Sequence, residues 1–193
     1  MITGVLLAAG FSTRFGAQKL VHRLDDGMSI AEHAARNLIA ALPNSAAVIR
    51  PGDVALSKLF MGLGLTIIEC ANATQGMGAS IACGVSATPQ ASGWLIALGD
   101  MPWIRPQTIY SLSQQLRSGA GIVAPQYQRK RGHPVGFSAA FKAKLIALQH
   151  DVGARELIEA GHEQLELMMT DDPGVLADVD VLTDIRQRIL SAY

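Results

Sequence analysis

The chain has no excess charge of either sign: 16 Lys and Arg balance 16 Asp and Glu over 193 residues. Broad electrostatic attachment to nucleic acid or to an anionic membrane is therefore excluded, whereas a local anion site, which needs only a few charges, is not. No apolar run approaches the roughly 20 residues a membrane span requires. No signal peptide is visible. Cysteine is scarce: Cys70 and Cys83 have neither a C-x-x-C partner nor metal-ligand spacing, and the expectation is two free thiols in the cytoplasm. No nucleophile sits beside a matching base, so a covalent intermediate is not indicated. What is abundant is apolar: 49% hydrophobic against 17% charged residues, enough for one domain with a substantial core.

Short apolar runs and helical periodicities alternate through the first 125 residues. Ile2 to Ala8, Ala46 to Arg50, Leu65 to Glu69, Trp94 to Leu98 and Gly121 to Ala124 read as strands. Between them, Ser29 to Leu42, Asp53 to Met61, Met77 to Ala87 and Pro106 to Arg117 read as helices, with Ser29 and Asp53 at N-cap positions and Pro106 in a first turn. This alternation predicts parallel βαβ units with helices on both faces of the sheet. After Pro125 the pattern loosens into a basic loop, a strand at His133 to Ser138, helices at Ala139 to Leu148 and Ala154 to Ala160, a strand at Glu163 to Met169 and a last helix from Leu182 to Leu190. With no repeat and no linker, residues 1–193 read as one α/β domain. The regular part ends near residue 125, and the looser part runs from about 126 to 193.

The first strand runs into "LAAGFSTRFGAQK". In a parallel α/β sheet, ligands bind at the carboxyl ends of the strands, where this loop lies. Ala8, Ala9 and Gly10 carry little side chain, so their backbone can approach a ligand, and successive amides in a tight turn form an anion-binding concavity. Arg14 offers a planar fork to phosphate oxygens and Lys19 a compact charge. The spacing is neither G-x-G-x-x-G nor the P-loop, which excludes those two phosphate-binding designs. Further on, "LGDMP" sets Asp100 just after an apolar strand. A carboxylate beside a phosphate site calls for a cation between them, and Mg²⁺ takes one or two carboxylates plus phosphate oxygens.

The opening loop resembles the signature loop of the molybdenum cofactor nucleotidyltransferases, the MobA/MocA-like group. "QGMGASI", "LGDMP", "GHPVGF", "DVGAR" and "DVDVLTD" continue the resemblance in the same order along nearly the whole chain. It implies a Rossmann-like three-layer α/β/α fold with a mostly parallel sheet, residues 1 to about 125 forming a nucleotide-binding part and about 126 to 193 an acceptor-side part. It also implies that Leu7, Ala8, Ala9, Gly10, Ser12, Arg14 and Lys19 hold the nucleotide's phosphates, and that Gln75, Gly76, Met77, Gly78 and Ser80 lie beside its base. Arg14, Lys19 and Asp100 are the implied catalytic residues. Asp100 would hold Mg²⁺, joined by Asp180, whose motif carries Val181-Leu182 where the family has Thr-Pro; the other reading of Asp180 is a cap of the last helix. His133, Pro134, Asp151 and Arg155 would border the acceptor, with Asp151 equally readable as an N-cap.

The implied reaction is in-line attack of an acceptor phosphate on the α-phosphorus of a nucleoside triphosphate, with pyrophosphate leaving. Such transfer asks a protein for positioning and charge neutralisation. "LAAG", with alanine at position 9 where the guanylyltransferase branch more often has glycine, resembles the cytidylyltransferase branch. That implies CTP and molybdopterin or molybdenum cofactor as substrates, with a client molybdoenzyme or its chaperone as a further partner. A guanylyltransferase, a sugar- or alcohol-phosphate nucleotidyltransferase and a non-catalytic cofactor-delivery protein are the alternatives.

Overall fold

In the computed structural model, which describes residues 1–10, 18–149, 153–181 and 183–185, the alternation is present. β1 (Ile2–Leu7), α1 (Ile30–Ala41), β2 (Ser45–Ile49), α2 (Val54–Gly62), β3 (Thr66–Glu69), α3 (Met77–Ala87), β4 (Gly93–Leu98), α4 (Pro106–Arg117) and β5 (Ile122–Tyr127) follow in order. Helix starts are set locally. Ser29 Oγ accepts from the Glu32 amide, the Asp53 carboxylate accepts from the Leu56 amide, and Pro106 fills a position that needs no donor. The late helix expected at Ala139 to Leu148 is divided into a 3-10 turn at Ala139–Phe141 and a short α5 (Lys142–Ile146). Of the last expected helix, only residues 183–185 are described, and they are helical.

With β6 at Lys130–Arg131, β7 at Val135–Ser138 and β8 at Leu165–Met169, one sheet forms among the described residues, in the order β3-β2-β1-β4-β7-β5-β6, with β8 pairing β5 in parallel. β1 to β4 are mutually parallel. Simple alternation would set β5 beside β4; instead β7 (Val135–Ser138) is inserted antiparallel to both. The basic run explains how. Gln128 and Arg129 adopt φ of 47° and 65° and fold β5 back onto β6 (Lys130–Arg131), so the chain returns along the sheet. Gly136 lets β7 fit there, since a Cβ would lie 2.7 Å from both Leu116 and Val123 side chains.

Both faces of the sheet are covered. α1, α2 and α4 bury Leu38, Phe60 and Leu112 on one face. α3, α5 and α6 (Arg155–Ala160) bury Ile81, Leu145 and Ile158 on the other. β1 alternates accordingly, sending Leu6 to the first layer and Val5 to the second. This is the expected three-layer, mostly parallel α/β arrangement. Strand order reverses at β1: β2 lies on one side of it and β4 on the other. The carboxyl ends of β1 and β4 thus flank the switch point, where α/β sheets bind ligands.

The expectation of two free thiols is not met. Cys70 and Cys83 are bonded to each other, their Cα atoms 5.9 Å apart. Cys70 directly follows β3, and α3 returns across the same end of the sheet with Cys83 on its flank, a proximity that a spacing of 13 residues in sequence does not display.

Candidate active site

The loop after β1 and the turn after β4 touch at the switch point. The Gly99 amide donates to the Leu7 carbonyl at 2.9 Å. A Cβ on Gly99 would come within 3.0 Å of that carbonyl and 3.4 Å of the Ala8 Cβ, so only small residues allow this approach. The Ala8 amide is used by the sheet, donating to Val48 at 2.9 Å. The amides this loop can turn toward a ligand therefore begin at Ala9 and Gly10, of which Ala9 is buried and Gly10 exposed. Ser12 and Arg14 lie outside the described residues.

Lys19 opens a 3-10 turn, Lys19–Val21, anchored by the buried side chain of Leu20. Its Nζ donates to Asp100 Oδ2 at 2.8 Å and stands 3.7 Å from Asp180 Oδ1. The ammonium is well sheltered, with its side chain 12% exposed, while Asp100 and Asp180 are 26% and 52% exposed. Residues from the start, the middle and the end of the chain thus meet at one point.

The late segment reaches this point because it is stitched down. Asp172, buried to 1% exposure, accepts from the Arg105 amide and the Thr108 hydroxyl at 2.8 Å each, and from the Gly174 amide at 2.9 Å. Gly174 packs against the Trp103 carbonyl with no room for a Cβ. The Val175 carbonyl accepts from the His133 amide, and the Val179 amide donates to the Asp100 carbonyl, both at 2.9 Å. Asp184 Oδ2 then accepts from the Asp180 and Val181 amides at 2.8 Å each, a side chain reaching back across the first turn of the next helix. Asp184 is therefore one cap of that turn. Partial desolvation first, then the charges of Asp180 and Asp100, push the Asp178 carboxyl above its ordinary range, against the pull of Lys19. Sequence reasoning passed over Asp172, Asp178 and Asp184; only the density of acids in "DDPGVLADVDVLTD" signalled them.

A second feature opens beside this cluster. Gly76, at φ 116°, starts α3 without a side-chain cap hydrogen bond. Gln75 is exposed and Met77 is 43% exposed, whereas Gly78 and Ser80 are buried in the turn. Met77, Ile81, Leu98, Val135 and Phe137 wall a cavity of about 240 Å³, and Arg131, His133 and Arg155 supply its polar groups. Gly153 sits against Met77, where a Cβ would be 3.3 Å from the sulfur, so "QGMG" and "DVGAR" meet at this cavity. Among the described residues, His133 Nδ1 is buried without a hydrogen-bond partner. Burial lowers its proton affinity, Asp100 opposes that, and Arg131 adds to it, so the ring is held neutral near pH 7. The His133–Pro134 peptide is cis and Pro134 is buried. The Arg155 guanidinium pairs with Glu159 at 2.8 Å, and Asp151 lies outside the described residues. No group of three or more His, Cys, Asp or Glu capable of holding a metal occurs among the described residues, and no helix there is long and apolar enough to cross a membrane.

Comparison with known proteins agrees with this geometry. The family profile described as "MobA-like NTP transferase domain" matches residues 4–166. Nicotine blue oxidoreductase of Paenarthrobacter nicotinovorans is 25% identical over 190 residues, which cover 94% of this chain and 93% of that protein. The crystal structure of Rv0371c from Mycobacterium tuberculosis superposes with a TM-score of 0.84 at 26% identity, covering 96% of this chain and 95% of that one. A nucleotidyl transferase from Methanothermobacter has the same fold, with a TM-score of 0.84 at 20% identity over 100% of this chain and 99% of that one.

Proposed function

The chain belongs to the MobA-like NTP transferase domain family, and we propose that it transfers CMP from CTP to the phosphate of molybdopterin or molybdenum cofactor, releasing pyrophosphate. The observation that carries this reading is the meeting of Lys19, Asp100 and Asp180 at the carboxyl ends of β1 and β4.

Two carboxylates already gathered around a cationic ammonium are a hard-oxygen set suited to Mg²⁺, which completes its shell with water and phosphate oxygens. Asp100 and Asp180 would hold it. When bound, Mg²⁺ draws off charge that develops on the phosphate oxygens. The rest falls to the chain. The loop from Leu7 through Ala9, Gly10, Ser12 and Arg14 wraps the triphosphate. Lys19 neutralises the β- and γ-phosphates as they leave. The first turn of α3, with Gln75, Gly76 and Met77, receives ribose and base. His133, Pro134, Asp151 and Arg155 border the acceptor, whose phosphate is ionised near neutral pH and needs no strong base. A neutral His133 fits that economy, since it can exchange a hydrogen bond with the acceptor without adding charge.

The test is pyrophosphate release from CTP, GTP, ATP and UTP, with Mg²⁺ and molybdenum cofactor present. CTP preference is expected, with Lys19→Ala and Asp100→Ala each lowering turnover by orders of magnitude while the fold persists. Preference for GTP would move the protein to the guanylyltransferase branch. Release only with another acceptor phosphate would reassign the acceptor, and nucleotide binding without release would indicate cofactor delivery.

A further inference from the structure

We infer that Lys19 is the resident cation of the metal site. In the nucleotide-free protein its ammonium holds the place between Asp100 and Asp180; a divalent ion enters as Lys19 leaves, and the phosphates of the incoming nucleotide draw Lys19 away. This rests on the nucleotidyltransferase reading above and adds to it an order of assembly.

The geometry sets the competition. Nζ is hydrogen-bonded to Asp100 Oδ2 at 2.8 Å and stands 3.7 Å from Asp180 Oδ1. A hard divalent ion needs those same carboxylates at about 2.1 Å. If it takes Oδ2, it displaces the ammonium directly. If it takes the other oxygen of Asp100, it stands beside an unscreened positive charge. Either way, ion binding and the lysine contact oppose each other. The shelter of Lys19, 12% exposed, strengthens the contact that must be broken.

The same residue is built to move. A lysine carries its charge on four flexible carbons, so the ammonium can swing while the buried Leu20 keeps the backbone in place. Lys19 lies against Asp100 at the carboxyl ends of β1 and β4, where the nucleotidyltransferase reading puts the triphosphate, so its oxygens arrive within reach of the ammonium. Once Lys19 turns to phosphate, both carboxylates are released to the divalent ion. Nucleotide and ion then bind with positive coupling, and the coupling is reciprocal. The arrangement also keeps the paired acids neutralised while the site waits for substrate.

The experiment is titration of nucleotide-free protein with Mn²⁺, followed by the electron paramagnetic resonance signal of the free ion. Wild type, Lys19→Met, Asp100→Asn and the double variant are compared. The expectation is that Lys19→Met binds Mn²⁺ at least about fivefold more tightly than wild type, the low end of ordinary coupling between sites. Asp100→Asn should abolish that gain. Equal or weaker binding by Lys19→Met, with Asp100 still needed for the ion, would overturn the exchange and leave the metal site standing. Binding indifferent to Asp100→Asn would overturn the metal site and the exchange together. Absence of binding in both wild type and Lys19→Met would overturn the exchange, because removing the ammonium must expose the acids. Circular dichroism checks each fold. Should Lys19→Met not fold, the ¹⁵N resonance of the Lys19 ammonium in wild type reports the same event: addition of Mg²⁺ with nucleotide must shift it away from its carboxylate-bound position, and an unmoved resonance refutes the exchange.

Discussion

Asp172 offers the sharpest test of how the acidic segment is positioned. Its carboxylate is 1% exposed and accepts three hydrogen bonds, from the Arg105 amide, the Thr108 hydroxyl and the Gly174 amide. Hydrogen bonds to a charged group contribute about 1.5–3 kcal/mol each, so their simple sum exceeds 4 kcal/mol. The nearby Arg105 side chain adds little, at 4.0 Å and 51% exposed. Water entering the space left by truncation recovers part of the loss, leaving about 3–4 kcal/mol for Asp172→Ala. For a chain of this size that corresponds to a melting temperature lower by roughly 10 °C. Asp172→Asn should lose about 2 kcal/mol, because its amide NH₂ must face either Gly174 or the Arg105 amide, donor against donor. Thr108→Val, which removes one donor, should lose about 1 kcal/mol. Urea and thermal unfolding would rank the three variants. Because the segment from Asp172 carries Asp178 and Asp180, Asp172→Asn should also weaken divalent-ion binding under conditions where the protein is folded. An Asp172→Ala protein that melts within about 2 °C of wild type would refute the reasoning.

Three further outcomes follow from the same structure. The Cys70–Cys83 bond closes a span of 13 residues, so Cys70→Ser with Cys83→Ser should lower stability by about 3 kcal/mol on the chain-entropy account; unfolding with and without a dithiol reductant would check it, reductant leaving the double variant unchanged. His133 is held below its ordinary value of 6.5, so the unfolded chain binds more protons as pH falls from that value toward the depressed one. Stability should therefore fall on acidification through that window, and His133→Gln should remove part of the slope in melting temperature against pH. Gly136→Ala would press a methyl within 2.7 Å of Leu116 and Val123, and should cost about 1–3 kcal/mol in urea unfolding.

What could be read from sequence was the part of the fold that local periodicity encodes. Continuous apolar strands such as "VLLAA" and "WLIAL" announce burial on both faces, and Ser29, Asp53 and Pro106 announce helix starts because a cap is a contact over three residues. The insertion of β7 between β4 and β5 was not legible. It depends on Gln128 and Arg129 taking left-handed backbone in a sequence without a glycine at the turn, and on the space that Gly136 leaves beneath α4. The disulfide was hidden for a similar reason, since nothing in a 13-residue spacing reveals that the middle of α3 packs against the residue following β3.

The site divides along the same line. The loop after β1 and Asp100 could be placed at the sheet edge from strand order alone, because both follow apolar strands directly. The route of Asp180 to Lys19 could not, because it passes through tertiary contacts that no local pattern carries: Asp172 under α4, Val175 on His133, and Val179 on the Asp100 carbonyl. Those contacts explain why a late motif that lacks Thr-Pro still brings its acid to Lys19. The turn is held by Asp184 bonding back to the Asp180 and Val181 amides, and the Asp180 carboxylate stands 3.7 Å from the Lys19 ammonium. A side-chain bond of this kind tolerates Val181 and Leu182 where the family has Thr-Pro. Asp184→Ala should accordingly loosen Asp180 and weaken divalent-ion binding while sparing global stability, as Mn²⁺ titration beside thermal unfolding would measure; unchanged Mn²⁺ affinity in that variant would mean that the Val179 contact alone suffices to place the acid.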